Sequence, residues 1–128
     1  LAKTYLGTNE SGAIDDTDVR EKVIDMNMNR LAFRLTAKRA NEENKSGTPG
    51  ASTSIFKLFG AALQQDGAEL KREIMGFKGL GTGGDGGFSN EELTATEEWL
   101  HTKATTIYGG SNEIQANIIS KRVLRLPD

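Results

Sequence analysis

Apolar residues recur along this chain with the period of an α-helix, and this pattern limits the fold more than any other sequence feature. Between residues 17 and 44 they are spaced four, three and four residues apart. The residues of this stripe are Ile24, Met28, Leu31 and Leu35. Such spacing puts the side chains on one face of a helix, which we expect to be buried. Asp15, Asp16 and Thr17 precede the helix and are suitable caps.

The same spacing predicts a second helix over residues 51–75. Its apolar face contains Leu63, Gly67, Leu70 and Ile74, and Ile55, Phe59 and Ala62 extend it backwards. A glycine on this face indicates the close approach of a neighbouring helix. Polar sequence ending in Gly47-Thr48-Pro49-Gly50 separates the two helices.

Two shorter helices complete the predicted architecture. Ser89-Asn90-Glu91-Glu92 has the pattern of a capping box and starts a helix that ends near Thr106. Ser111 or Asn112 starts the last helix, and Pro127 ends it. The residues expected to point inward are Leu93, Leu100, Ala104, Ile114, Ile118, Ile119, Val123 and Leu126, and Trp99 is expected to anchor a packing surface. Because no segment alternates apolar and polar residues convincingly, the sequence predicts an all-α fold, an up-down four-helix bundle.

Glycine makes up seven of the twelve residues from Gly76 to Gly87. This composition predicts a flexible loop. Residues 79–84 formally match G-x-G-x-x-G, but the dinucleotide-binding motif needs a preceding strand, and a helix is predicted there. A loop is the favoured interpretation.

Composition excludes several classes of function. A chain of 128 residues is one domain by length, and its net charge of -2 predicts no binding to nucleic acid or to anionic membranes. It has no cysteine and one histidine, so we expect no metal site. His101 and the carboxylates at helix ends are expected to be solvated. With no apolar stretch long enough to span a bilayer and no visible signal peptide, we expect a cytoplasmic protein.

The bend from Tyr108 to Glu113 is the strongest candidate for a site. There one helix ends, Gly109 and Gly110 expose the backbone, and the next helix begins with unpaired N–H groups. Such groups can bind an anion or the carbonyl of a ligand. From these residues alone, a plain turn between helices is the simpler interpretation.

Residues 106–127, Thr-Ile-Tyr-Gly-Gly-Ser-Asn-Glu-Ile-Gln-Ala-Asn-Ile-Ile-Ser-Lys-Arg-Val-Leu-Arg-Leu-Pro, resemble the closing segment of the acyl-CoA dehydrogenase family. Trp99-Leu100 and the segment from Pro49 to Gly60 extend the resemblance. It implies that residues 1–128 are a single helical-bundle domain, the C-terminal one of a larger three-domain enzyme. Such enzymes use FAD to oxidise acyl-CoA to 2-enoyl-CoA, and they are usually tetramers formed through these bundles. An electron-transfer flavoprotein is the implied redox partner.

The resemblance also implies roles for individual residues. The backbone N–H of Gly109 matches the group that binds the thioester carbonyl, and Gly110 lies against the substrate. Ser111, Asn112 and Glu113 match the stretch that contacts FAD. Many members have a glutamate, the catalytic base, where this chain has Gly109, so no catalytic base is expected in this segment. The family's Gln-x-x-Gly-Gly flavin contact is not matched near Arg72 to Gly79.

These departures leave two interpretations of the enzyme open. Either the base lies on an earlier helix outside this chain, or the chain belongs to a non-catalytic structural subunit of a heteromeric complex. The assembly implied by the resemblance is a homo- or heterotetramer. An independent helical binding module also fits the composition. In every case we expect the chain alone to be inactive and to bind flavin weakly.

Overall fold

The computed structural model describes residues 1–47, 55–84 and 86–127. Within these residues, five α-helices follow one another: α1 Ala2–Leu6, α2 Thr17–Lys45, α3 Phe56–Met75, α4 Asn90–Thr102 and α5 Asn112–Ile118. Short 3-10 segments, Gly76–Leu80 and Lys103–Thr106, follow α3 and α4, and a π-helical segment, Ile119–Leu124, continues α5. The described residues contain no strand, only one isolated bridge between Thr8 and Ile14. The all-α prediction is confirmed.

The helix boundaries lie close to those expected from sequence. α2 begins where the Asp16 carboxylate accepts a hydrogen bond from the Val19 amide at 3.0 Å, which confirms Asp16 as its cap. The start predicted for the second helix, residues 51–54, lies outside the described residues. The short helix α1 was not predicted. No described helix has the length and apolar character needed to cross a membrane.

Helix α2 has two apolar faces, and the one predicted to be buried is exposed. Ile24, Met28, Leu31 and Leu35 are between 47% and 63% exposed. The face that turns inward instead is a second stripe lying about 150° around the helix. Its apolar members are Val19, Val23, Met26, Phe33, Ala37 and Ala40, all buried or half-buried. The prediction failed because periodicity identifies an apolar stripe without identifying the surface that covers it.

Helix α3 is the centre of the fold, since it packs against α2 on one side and α4 on the other. Gly67 allows the approach to α2, as predicted: a Cβ atom there would lie 2.5 Å from the guanidinium of Arg30. On the α4 side, Trp99 forms the expected packing surface. The Arg72 guanidinium lies 3.9 Å from the Trp99 ring centre, and the ring nitrogen donates a hydrogen bond to Glu69.

The glycine-rich segment is more ordered than its composition suggested. Gly76–Leu80 forms a 3-10 turn, and Gly79 and Gly81 are buried. Added Cβ atoms would lie 2.8 Å from the Arg72 carbonyl oxygen at Gly79 and 2.6 Å from the Phe88 ring at Gly81. These glycines are therefore close-packing residues, and the flexible-loop prediction is wrong for this part. A helix precedes the segment, so the dinucleotide motif lacks its strand.

Three of the residues expected to point inward are exposed. They are Leu100, Ile114 and Leu126, each more than half exposed. Leu93, Ala104, Ile118, Ile119 and Val123 are half-buried. The last helix makes few contacts with the rest of the described chain, mainly with α3. Few described residues of this chain therefore cover the apolar side chains of the last helix.

The start of α4 is fixed by the capping box that the sequence predicts. The Ser89 amide donates to the Glu92 carboxylate at 2.7 Å, and the Glu92 amide donates to the Ser89 hydroxyl at 3.3 Å. The Tyr5 hydroxyl also donates to Glu92 at 3.2 Å, which ties α1 to α4. These donors, the Ser89 amide first, hold the pKa of the buried Glu92 carboxyl below its usual value.

We expect Glu92 to make the fold sensitive to acid. Because its pKa is lower in the folded chain than in the unfolded one, its contribution is complete above the ordinary value of 4.5 and is lost as the pH falls through the folded pKa. Thermal unfolding of the chain followed by circular dichroism should therefore give a midpoint that falls less between neutral and acidic pH in Glu92→Gln than in the wild type. Glu91→Gln, an exposed neighbour, is the control. Equal acid sensitivity in the wild type and Glu92→Gln would contradict this.

Candidate functional site

The candidate site is the turn between α4 and α5. After α4, the 3-10 segment Lys103–Thr106 ends with the amides of Ile107 and Tyr108 both donating to the Ala104 carbonyl at 3.0 Å. The chain then reverses through Gly109 at φ 69° and Gly110 at φ 95°. Both values lie in the left-handed region that costs other residues energy, so the turn requires the two glycines.

Tyr108 is the last residue before the two glycines whose backbone amide donates a hydrogen bond within the described chain. The amides of Gly109 and Gly110 donate to no other described residue, and Gly109 is exposed. Neither glycine has a side chain of its own, so the backbone at these two positions is less shielded than at other residues. The turn therefore offers two adjacent donors that can bind a carbonyl oxygen or an anion.

Helix α3 supports this turn with two polar side chains. The Lys57 ammonium donates to the Thr105 carbonyl, and its Cε lies 3.3 Å from the position of a Cβ on Gly109. The Gln65 amide donates to the Thr102 carbonyl at 2.9 Å. Neither residue was predicted from the sequence to have a role at the turn. The only sequence signal for Lys57 was its place in the Lys57-Leu58 pair within the family-like segment.

Gln115 holds the other side of the turn. Its side-chain amide nitrogen lies 3.3 Å from the Gly109 carbonyl, to which it donates. A Cβ on Gly110 would lie 2.7 Å from that nitrogen. Since the carbonyl of Gly109 is held by Gln115, the N–H of Gly110 in the same planar peptide points away from it.

The first turn of α5 contains the other three candidate residues. Ser111 occupies the capping position without a side-chain capping bond. The pKa of the Glu113 carboxyl is lowered, first by the Ser111 hydroxyl and then by its own backbone amide. The lowered pKa agrees with a carboxylate in the first turn of α5, where the helix dipole favours a negative charge.

Asn112 has a buried polar side-chain atom that lacks a hydrogen-bond partner among the described residues. Its side-chain oxygen is buried, and no described residue donates a hydrogen bond to it. Buried polar atoms are normally paired, so a donor from outside the described residues is expected. A flavin ring has a hydrogen-bond donor, so the side-chain oxygen of Asn112 fits such a ligand.

An open cavity of about 420 Å³ lies beside the turn, between α2 and α3. Its lining includes the aromatic residues Phe33, Phe56 and Tyr108 and the cationic residues Arg30 and Lys57. The site thus continues from the backbone donors of the turn into a partly aromatic, positively charged groove.

The family's Gln-x-x-Gly-Gly flavin motif would be expected near Arg72 to Gly79. In this chain, Arg72 and Gly79 contact each other and α4. The Arg72 guanidinium donates to the Gly79 carbonyl at 3.2 Å, and the Thr96 hydroxyl donates to the same oxygen at 3.0 Å. His101 is exposed. Among the described residues, no three His, Asp or Glu side chains are grouped so that they could hold a metal ion.

Comparison with known proteins identifies the class to which this helical domain and its glycine turn belong. Residues 4–124 match the family model described as acyl-CoA dehydrogenase, C-terminal domain. The chain therefore belongs to the acyl-CoA dehydrogenase family. No solved structure matches it.

Named relatives agree with this assignment. The chain is 36% identical over 121 residues to acyl-CoA dehydrogenase IpdE1 of Mycolicibacterium smegmatis, which covers 91% of this chain and 28% of that protein. It is 37% identical to acyl-CoA dehydrogenase IpdE1 of Mycobacterium tuberculosis, over 91% of this chain and 29% of that protein. Acyl-CoA dehydrogenase FadE34 of Mycobacterium tuberculosis is 33% identical over 62% of this chain and 10% of its own length. The chain thus spans less than a third of the relatives that it matches.

Proposed function

We propose that this chain is the C-terminal domain of an FAD-dependent enzyme that oxidises acyl-CoA to 2-enoyl-CoA. The observation that carries the proposal is the turn at Gly109 and Gly110, where two adjacent backbone amides have no hydrogen-bond partner among the described residues. The family assignment supports this choice among the ligands that such donors can bind.

In this proposal, the Gly109 amide binds the thioester carbonyl of the substrate. Negative charge develops on that oxygen as the α-proton leaves, and a fixed donor stabilises it more in the transition state than in the ground state. Gly110 is the residue that we propose lies against the substrate. Gly109 has no side chain to remove the proton, so the base lies on a part of the protein outside this chain.

Ser111, Asn112 and Glu113 are the residues that we propose to contact FAD. Bound FAD would supply the acceptor for the hydride that leaves the substrate. The unpaired oxygen of Asn112 is the strongest support for this contact, because it needs a donor that the described residues do not provide. The Ser111 hydroxyl lowers the pKa of the Glu113 carboxyl, so we propose that Glu113 contributes as a carboxylate in the first turn of α5.

The exposed stripe of α2 supports a further part of the proposal, assembly into a homo- or heterotetramer. Four large apolar side chains in one row on one helix are more than a surface helix normally presents to water. We propose that another subunit covers them. An electron-transfer flavoprotein is the partner proposed for reoxidising the enzyme.

A second candidate function is a non-catalytic subunit of a heteromeric acyl-CoA dehydrogenase. It is favoured by Gly109, which replaces the family's glutamate, and by Arg72, whose guanidinium is engaged by Gly79 and Trp99 where a flavin motif is expected. In that case, the chain would contribute the assembly surface while another subunit carries out the oxidation.

One experiment separates these functions. The complete gene product is purified, its absorbance spectrum is recorded, and its turnover of acyl-CoA is measured with an artificial electron acceptor. We expect stoichiometric flavin and turnover from the protein alone. Turnover only after a second subunit is added would favour the structural role. A colourless protein that stays inactive with candidate partner subunits would rule out the proposed function.

A further inference from the structure

Lys57 is a side chain of α3 that contacts the segment leading into the glycine turn. Its ammonium group donates to the Thr105 carbonyl and lies 5.7 Å from the centre of the Tyr108 ring. Its Cε would lie 3.3 Å from a Cβ on Gly109, which places its stem against the α-carbon of that residue. One side chain of α3 thus contacts three successive parts of the turn.

The carbonyl that Lys57 binds is one that a helix end leaves without a partner. The last carbonyls of a helix have no intrahelical donor, and buried ones need a donor from elsewhere. Thr105 is buried, and the chain turns away after it through Ile107 and Tyr108. A charged donor is stronger than a neutral one at such a position. Lys57 therefore fixes the direction in which the backbone leaves the 3-10 segment.

Gln65, two helical turns further along α3, repeats this contact. Its amide nitrogen lies 2.9 Å from the Thr102 carbonyl and 3.4 Å from the Thr106 hydroxyl. The 3-10 segment is thus held by α3 at its beginning and at its end. Both side chains are half-buried, where loss of a hydrogen bond is more costly than at the surface.

We infer that Lys57 and Gln65 are positioning residues that orient the Gly109 amide. The inference rests on the proposed function, in which that amide binds the thioester carbonyl. Neither residue touches the reacting atoms in this proposal. They act through the backbone by fixing the 3-10 segment, and hence the peptide between Tyr108 and Gly109. An amide that stabilises developing charge works only when it is held in place before the reaction, which makes this support important for the rate.

The test compares Lys57→Met with Lys71→Met in the complete flavin-bound protein. Methionine keeps most of the length of lysine and removes the charged donor. Lys71 is the matched control because it also lies on α3 and reaches across to α4, where its ammonium pairs with Glu98 at 3.0 Å. Removing either lysine breaks one polar link from α3, to α4 in the case of Lys71 and to the 3-10 segment that follows α4 in the case of Lys57. Only Lys57→Met breaks a link to the turn.

Two measurements are made on each protein. Hydrogen–deuterium exchange, followed by mass spectrometry, reports the peptide that covers residues 104–113. Anaerobic mixing with the acyl-CoA that the wild type oxidises fastest gives the limiting rate of flavin reduction per bound flavin, and separately the affinity for the acyl-CoA. A loss of fold alone would lower the flavin content without lowering the rate per bound flavin.

For Lys57→Met we expect faster exchange across residues 104–113 and a limiting reduction rate lowered about tenfold or more. The affinity should change little, and Lys71→Met should match the wild type in both measurements. If Lys57→Met cannot be obtained folded, Gln65→Leu replaces it, with the same expectations. Unchanged exchange, or faster exchange with an unchanged rate per bound flavin, would overturn the inference. Failure of the proposed function itself would be seen in the wild type, as absence of flavin or of reduction.

Discussion

Gly109→Ala is expected to lower the rate of acyl-CoA oxidation by the complete protein by about 100-fold. Gly109 has a φ of 69°, where a residue with a Cβ is strained, and the added atom would lie 3.3 Å from Cε of Lys57. The Lys57 side chain can relieve the contact by a small shift, but relief of the strain at positive φ requires the backbone to move. Because the proposed donor to the thioester carbonyl is the amide of this same residue, a shift of the backbone moves the donor itself.

The matched control for this substitution is Gly12→Ala. Gly12 has a φ of 75°, with nothing within 4 Å of an added Cβ, and it lies in the connection between α1 and α2. The backbone strain is therefore similar in the two variants, about 1–2 kcal/mol, while only one lies at the turn. Limiting rates of flavin reduction and flavin content are measured for both. Equal rates in Gly109→Ala and Gly12→Ala would exclude a special role for the Gly109 amide.

Leu31→Glu is expected to weaken the assembly of the complete protein by about 100-fold or more in subunit affinity. Leu31 lies within the exposed apolar stripe of α2, which we propose is covered by another subunit. A carboxylate buried in an apolar interface without a partner is strongly unfavourable, whereas at an exposed position it has little effect. The subunit mass is followed by light scattering over a range of concentrations.

Ala32→Glu is the control for this second change. Ala32 follows Leu31 directly and is also exposed, but its side chain points about 100° around the helix. Both substitutions add the same charge to the same helix turn. We expect Ala32→Glu to assemble as the wild type does. If Leu31→Glu also keeps the wild-type mass at all concentrations, another subunit does not cover this stripe.

The positions of the helices were predicted from the sequence more accurately than the faces that the helices bury. The capping box of Ser89 and Glu92 and the cap at Asp16 were identified correctly, because capping depends on residues within one turn of the chain. The buried face of α2 was assigned to the wrong stripe, because both of its stripes have helical spacing. Only the position of α3 decides which one is covered in this chain.

A similar division applies to the candidate site. The glycine turn could be identified from the sequence, since two adjacent glycines between helices leave few alternatives. The side chains that hold the turn in place could not be identified in this way, because Lys57 and Gln65 reach it from a helix about 40 residues earlier in the chain. The flexible-loop prediction for the glycine-rich segment failed for a different reason. Its glycines fit close packing against Arg72 and Phe88, and composition alone cannot separate close packing from flexibility.

The most direct test of the proposed function is anaerobic addition of acyl-CoA to the purified complete protein while its visible flavin absorbance is recorded. This measurement needs no electron acceptor and no redox partner, so it reports the oxidation of the substrate alone. We predict that the protein carries FAD and that at least one acyl-CoA bleaches the band and yields the corresponding 2-enoyl-CoA. A flavin band that a broad set of acyl-CoA thioesters leaves unchanged, or a protein without flavin, would contradict the proposal that this domain belongs to a catalytic subunit.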